Sequence, residues 1–119
     1  MNGKRYVLDT NTIIYAINDA IVLPIAAYFI SIITEIELLS YKYLAENDKK
    51  EIETLLANFQ EVSLSKEIKE ATIEIRKKTG FKIPDSIILA TAKVTNSTLV
   101  SSDKRLFDNR ETPVISIED

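Results

Sequence analysis

Apolar positions change their spacing several times along the chain, and each change marks an element. Arg5-Tyr6-Val7-Leu8 is β-branched and aromatic enough for a short strand ending at Asp9. Residues 12–18 have the makings of a short helix that closes at Asn18-Asp19. Residues 28–32 (Tyr-Phe-Ile-Ser-Ile) form a second buried-type strand. Thr34 then opens a helix to about residue 45, with Ile36, Leu39 and Tyr43 on one face. Asn47-Asp48 caps the next, where Ile52, Leu55, Leu56 and Phe59 keep helical spacing. A third strand covers residues 61–64. Ser65 caps a helix running to about Lys78, with Ile68, Ala71, Thr72 and Ile75 inward and Gly80 as its stop. Pro84 starts a nearly all-apolar helix through Thr95. Residues 97–101 form a fourth strand, residues 103–107 a helical turn, and residues 113–117 a fifth strand.

Strands that alternate with helices call for right-handed crossovers. The expected fold is α/β: a three-layer α/β/α sandwich around a mostly parallel sheet of four to five strands. The 119 residues suit one domain. In such sheets ligand sites gather beyond the carboxyl ends of the strands.

Composition narrows the chemistry. The chain has no Cys and no His, which excludes disulfides, thiol nucleophiles, histidine proton shuttles and Cys- or His-ligated metals. What remains is carboxylates, hydroxyls, Lys, Arg, Tyr, backbone and a hard metal. No apolar run is long enough to span a bilayer. The opening residues 1–5 lead into a strand rather than a cleavable signal, so a cytoplasmic protein with no membrane partner is expected. The formal charge of −3, from 15 basic and 18 acidic residues, argues weakly against nucleic acid. Against this, Arg76, Lys77, Lys78 and Lys82 crowd together, and Lys104-Arg105 follow later.

Four carboxylates fall where a strand ends or a helix begins. Asp9 closes the first strand; Glu37 follows Thr34 by three residues; Asp85 follows Pro84; Asp103 follows the fourth strand. Each has a structural explanation. Thr34-x-x-Glu37 fits a capping box, Asp85 suits a helix N-terminus, and Asp9 and Asp103 suit caps. Together on one edge, they would repel one another and need a compensating cation. Mg²⁺ or Mn²⁺ takes oxygen ligands, and can activate a water and stabilise charge on a phosphoryl oxygen.

Val7-Leu8-Asp9-Thr10-Asn11, Ile30-Ser31-Ile32-Ile33-Thr34 with Glu37-Leu38, residues 84–92 (Pro-Asp-Ser-Ile-Ile-Leu-Ala-Thr-Ala), and residues 99–107 (Leu-Val-Ser-Ser-Asp-Lys-Arg-Leu-Phe) occur in that order. In order and spacing they resemble the four motifs of the PIN domain family, and within it the VapC-type toxin ribonucleases. The resemblance implies a metal-dependent endoribonuclease on a PIN-like fold, usually a homodimer, acting as the toxin beside an antitoxin protein. It assigns catalysis to Asp9, Glu37, Asp85 and Asp103, with Asp9, Asp85 and Asp103 holding the metal. Asn11 and Ser101 become polar support for the site. Glu35 is a rival to Glu37 but does not match the family spacing. Ser101 stands where relatives usually carry Thr. Only 19 residues separate Asn11 from Ser31, which points to a second helix shortened or lost.

Lys82, Lys104 and Arg105 are candidate contacts to RNA phosphates. The run 76–78 is read as a solvated helix end or as part of such a surface. Tyr6, Tyr15, Tyr28, Tyr41 and Tyr43 read mainly as core or interface, Tyr15 being the one placed to stack a base. Two other classes stay open: an inactive PIN-like RNA- or protein-binding module, and a phosphoryl-accepting α/β domain.

Overall fold

A computed structural model describes residues 3–117; Met1 and Asn2 of the opening segment, and Glu118 and Asp119, lie outside the described residues. In chain order the elements are β1 (Arg5–Leu8), α1 (Thr10–Asn18), β2 (Ala27–Ser31), α2 (Ile32–Leu39), α3 (Glu46–Leu56), β3 (Gln60–Val62), α4 (Lys66–Thr79), α5 (Ile83–Val94), β4 (Thr98–Val100), a 3₁₀ turn (Lys104–Leu106) and β5 (Val114–Ile115). The sheet runs β3-β2-β1-β4-β5, with every pairing parallel. Helices cover both faces, so the fold is the expected α/β/α sandwich.

The two-residue period of a strand builds both cores at once. Val7, Phe29 and Leu99 share a rung and face one side, where they pack with Ile68 and Ile75 of α4 and Ile88 and Leu89 of α5. Their successors Leu8, Ile30 and Val100 face the other side, against Ile13 of α1, Leu38 of α2 and Ile52 of α3. The first core is the larger. Seven consecutive residues of α5, Ser86 to Ala92, are buried, which is why its sequence is apolar all round.

Helix starts follow local chemistry. The Asp9 side chain caps α1 by accepting from Thr12 N at 2.9 Å, so the helix begins two residues before residue 12. Ser65 caps α4, and Gly80 ends it at φ +72°, a left-handed conformation that glycine adopts without strain. The helix expected from Thr34 to residue 45 is different. Ser31 caps it by accepting from Ile33 N at 3.2 Å, it starts at Ile32, and it stops at Leu39. Thr34 therefore sits inside the first turn, and Glu37 lies in the second turn rather than in a capping box. The next helix starts at Glu46, with Ala45 rather than Asn47 or Asp48 at the cap position. Phe59 lies beyond its end and stacks on Tyr28 at 5.4 Å. Residues 19–26 carry the chain from α1 to β2 with no helix, in line with the shortened second helix expected there. Strands β4 and β5 are shorter than their apolar runs suggested.

Two features have measurable consequences. Thr34 is fully buried, and its hydroxyl has no hydrogen-bond partner among the described residues. An unpaired buried hydroxyl costs about 1–3 kcal/mol. Thr34→Val, which keeps the shape, is expected to stabilise the fold by about 1 kcal/mol, read from the urea midpoint at unchanged m-value.

Glu111 accepts from Lys93 Nζ of α5 at 2.8 Å and pairs with Lys78 of α4 at 3.5 Å. The Lys93 hydrogen bond holds its carboxyl below the usual carboxylate range, against the opposing effect of burial. A depressed folded-state pKa adds stability that is present above the unfolded pKa and lost as pH falls through the folded one. Thermal unfolding is therefore expected to show the wild type above Glu111→Gln at pH 7. That margin should shrink below about pH 4.3, the ordinary glutamate value.

Candidate functional site

Parallel pairing sends the carboxyl ends of β1, β2 and β4 to one edge, and the candidate residues follow from those ends. Asp9 succeeds Leu8. Its backbone N–H donates to Val100 O at 3.3 Å, and Thr12 Oγ1 donates to the same carbonyl at 3.0 Å. The start of α1 is thereby tied to the end of β4, three residues before Asp103. Capping engages Asp9 through Oδ1, so the cap and the site readings of this residue coexist.

Glu37 belongs to the same edge through Thr10, whose hydroxyl donates to Glu37 Oε1 at 2.6 Å. The rival Glu35 turns to another partner. Its side-chain contact with Glu61 of β3, with burial and the neighbouring charge, raises its pKa. Glu37 and Glu35 thus have different neighbours, Thr10 and Glu61.

Asp85 is the third residue of α5, behind Pro84, and is half-buried. Asp103 caps the 3₁₀ turn, accepting Arg105 N at Oδ1 at 3.0 Å. Its own backbone N–H donates to Ser101 Oγ at 3.0 Å. Ser101 is fully buried and so fixes the loop that presents Asp103. Asn11 lies exposed in the first turn of α1; among the described residues no hydrogen bond joins its side chain to a carboxylate of the site.

Arg105 joins the last two acids. Its Nε lies 3.0 and 3.2 Å from the two Asp103 oxygens, its Nη2 also contacts Asp103 Oδ2, and Nη2 reaches Asp85 Oδ2 at 3.4 Å. The guanidinium holds the Asp103 carboxyl below its ordinary pKa. Arg105 remains 63% exposed along its side chain.

Arg105 links Asp85 to Asp103, and Glu37 is joined to Thr10, the residue that follows Asp9. In this arrangement no three acidic side chains among the described residues are close enough to share one ion. The donor set is nevertheless all oxygen, as Mg²⁺ and Mn²⁺ require. By donor chemistry the residues suit such an ion, and Asp85 and Asp103 share a positively charged partner in Arg105.

The basic run is dispersed rather than pooled at the site. Arg76 Nε donates to Phe81 O at 3.0 Å, Lys77 pairs with Glu74, and Lys78 with Glu111. Lys82 and Lys104 are exposed at the N-cap of α5 and in the 3₁₀ turn. Two of the tyrosines, expected in core or interface, lie outside the core. Tyr41 and Tyr43 are exposed, meet edge to face at 5.7 Å, and line a groove of about 310 Å³ with Ile14, Ile17, Leu44 and Glu37. Thr10 is the site-edge residue that the sequence reading passed over; its place directly after Asp9 was the available signal.

The described residues contain no helix long and apolar enough to cross a membrane. No curated protein matches the chain. Among solved structures, the chain resembles VapBC2 from Rickettsia felis bound to a DNA fragment from its promoter, at TM-score 0.80 and 20% identity over 94% of this chain and 98% of that one. It also resembles a toxin–antitoxin complex from Klebsiella pneumoniae, at 0.71 and 26% identity over 87% and 90%. A third is VapBC-1 from nontypeable Haemophilus influenzae, at 0.75 and 22% identity over 97% and 99%. The family model for the PIN domain matches residues 6–111, a span that holds all four acidic positions, and the chain belongs to the PIN domain family.

Proposed function

We propose that this chain is a metal-dependent endoribonuclease that cleaves RNA phosphodiester bonds, and that it is the toxin of a toxin–antitoxin pair. The observation that carries the reading is the placement of Asp9, Glu37, Asp85 and Asp103 along one edge of a PIN-domain sheet. The similarity to the Rickettsia, Klebsiella and Haemophilus complexes supports the antitoxin partner.

In this reading Asp9, Asp85 and Asp103 hold Mg²⁺ or Mn²⁺, with Glu37 as a further ligand or as the group that positions water. When bound, the ion activates a water molecule and stabilises charge on the phosphoryl oxygens. The chain's own residues provide the geometry. Asp9 is fixed by its cap, Asp103 by buried Ser101, and Glu37 by the Thr10 hydroxyl. Asp85 is held by a helix whose next seven residues are buried. Lys82, Lys104 and Arg105 stand exposed near this edge and provide contacts for the RNA backbone. A homodimer in the cytoplasm belongs to the same proposal.

The second reading, a binding module without catalysis, draws on the finding that no three acidic side chains among the described residues are close enough to share one ion. Cleavage of a mixed structured RNA distinguishes the two. The assay compares Mn²⁺, Mg²⁺ and EDTA, with Asp9→Asn and Asp85→Asn proteins purified identically. Cleavage is expected with either metal, is abolished by EDTA, and falls in both variants by more than the about hundredfold that marks loss of a supporting residue. Equal cleavage by all three proteins would indicate a contaminating nuclease. Absence of cleavage from all of them would favour the binding module.

Thr10→Val tests the support of Glu37. It is expected to lower turnover about tenfold while leaving thermal stability close to wild type, a smaller loss than substitution of the acids themselves.

A further inference from the structure

The Asp85–Asp103 pair already carries a cation, and that cation belongs to the chain. Two carboxylates on one edge repel, and a positive group between them relieves the repulsion. The Arg105 guanidinium does this with a planar fork, Nε and Nη2 both on Asp103 and Nη2 also reaching Asp85 at 3.4 Å. These oxygens are the ones a divalent ion would need.

The backbone of Arg105 is held independently of its side chain. Its N–H donates to Asp103 Oδ1, Leu106 N donates to Asp103 O at 3.0 Å, and the Leu106 side chain is 2% exposed. The guanidinium stem is 63% exposed. It can leave by side-chain rotation alone, with the turn intact.

We propose that Arg105 is a built-in competitor for the metal site: its guanidinium is the counter-cation of Asp85 and Asp103 in the metal-free protein, and a divalent ion must displace it to bind. The proposal rests on the metal-dependent reading above and adds to it a residue whose removal improves metal binding. Emptying the site of Arg105 takes away a contact that the ion has to break. Substituting a ligand has the opposite effect, so the sign of the change separates the two roles.

The test is calorimetric titration of the metal-free full-length chain with MnCl₂, for the wild type, Arg105→Gln, Arg105→Lys, Lys104→Gln and Asp85→Asn. Circular dichroism and metal-free melting temperatures confirm that each protein is folded. Exposed ion pairs are modest, so the Kd for Mn²⁺ is expected to fall about two- to fivefold in Arg105→Gln. Arg105→Lys, which keeps the charge without the fork, should lie between it and the wild type. Lys104→Gln removes the same unit of charge from the adjacent position and should change the Kd less than Arg105→Gln does. An unchanged or weaker Kd in Arg105→Gln, with binding lost in Asp85→Asn, would overturn the competitor while leaving the metal site standing. Equal tightening in Arg105→Gln and Lys104→Gln would overturn it too, by reducing the effect to net charge. No Mn²⁺ binding by any of the proteins would overturn the metal-dependent reading and this proposal with it.

Discussion

Parallel pairing of β1 with both β2 and β4 is the constraint on which the rest depends. It brings the carboxyl ends of three strands to one edge, so residues far apart in sequence become neighbours without any long-range design in the loops. The same pairing puts Val7, Phe29 and Leu99 on one face and Leu8, Ile30 and Val100 on the other. Each strand residue thus has one assignment, and a slip of one position would expose both cores together. That double burial anchors the strands whose ends lead into the candidate residues.

Placing acids on such an edge has an electrostatic cost, and the chain offsets it in several ways. Asp9 accepts a backbone N–H at the start of α1, where the helix dipole favours negative charge. Asp103 has a backbone N–H and a guanidinium. Glu37 accepts a hydrogen bond from the Thr10 hydroxyl. The capping role of Asp9 and Asp103 is therefore compatible with the chemical role proposed for them. A helix start is a favourable place to keep a carboxylate ionised, and capping leaves part of the group available.

Much of this was legible in the sequence because it rests on local signals. Ser65 and Gly80 bracket α4 with cap chemistry and a left-handed stop, and the order of the four acidic motifs follows the chain. The start of α2 was not legible. Ser31 and Thr34 both have capping chemistry, and the choice between them depends on where β2 leaves the sheet, which pairing with β1 and β3 decides. The basic run at 76–78 reads as one feature, yet its three cations go to a carbonyl and two different glutamates. Arg105 reaching Asp85 and Thr10 reaching Glu37 span 20 and 27 residues. No periodicity encodes such contacts; they exist only once the sheet has formed.

The sheet ends on β3 and β5, three and two residues long, and β3 carries Gln60 and Glu61 exposed along its length. Edges this short, one of them polar and the other only Val114-Ile115, present few unpaired backbone groups in register, so an incoming extended segment finds little to continue. Growth of the sheet from one copy into the next is thereby discouraged at both borders. A copy of this chain that met another through its helical layers would form a closed, countable assembly rather than an open-ended stack of strands.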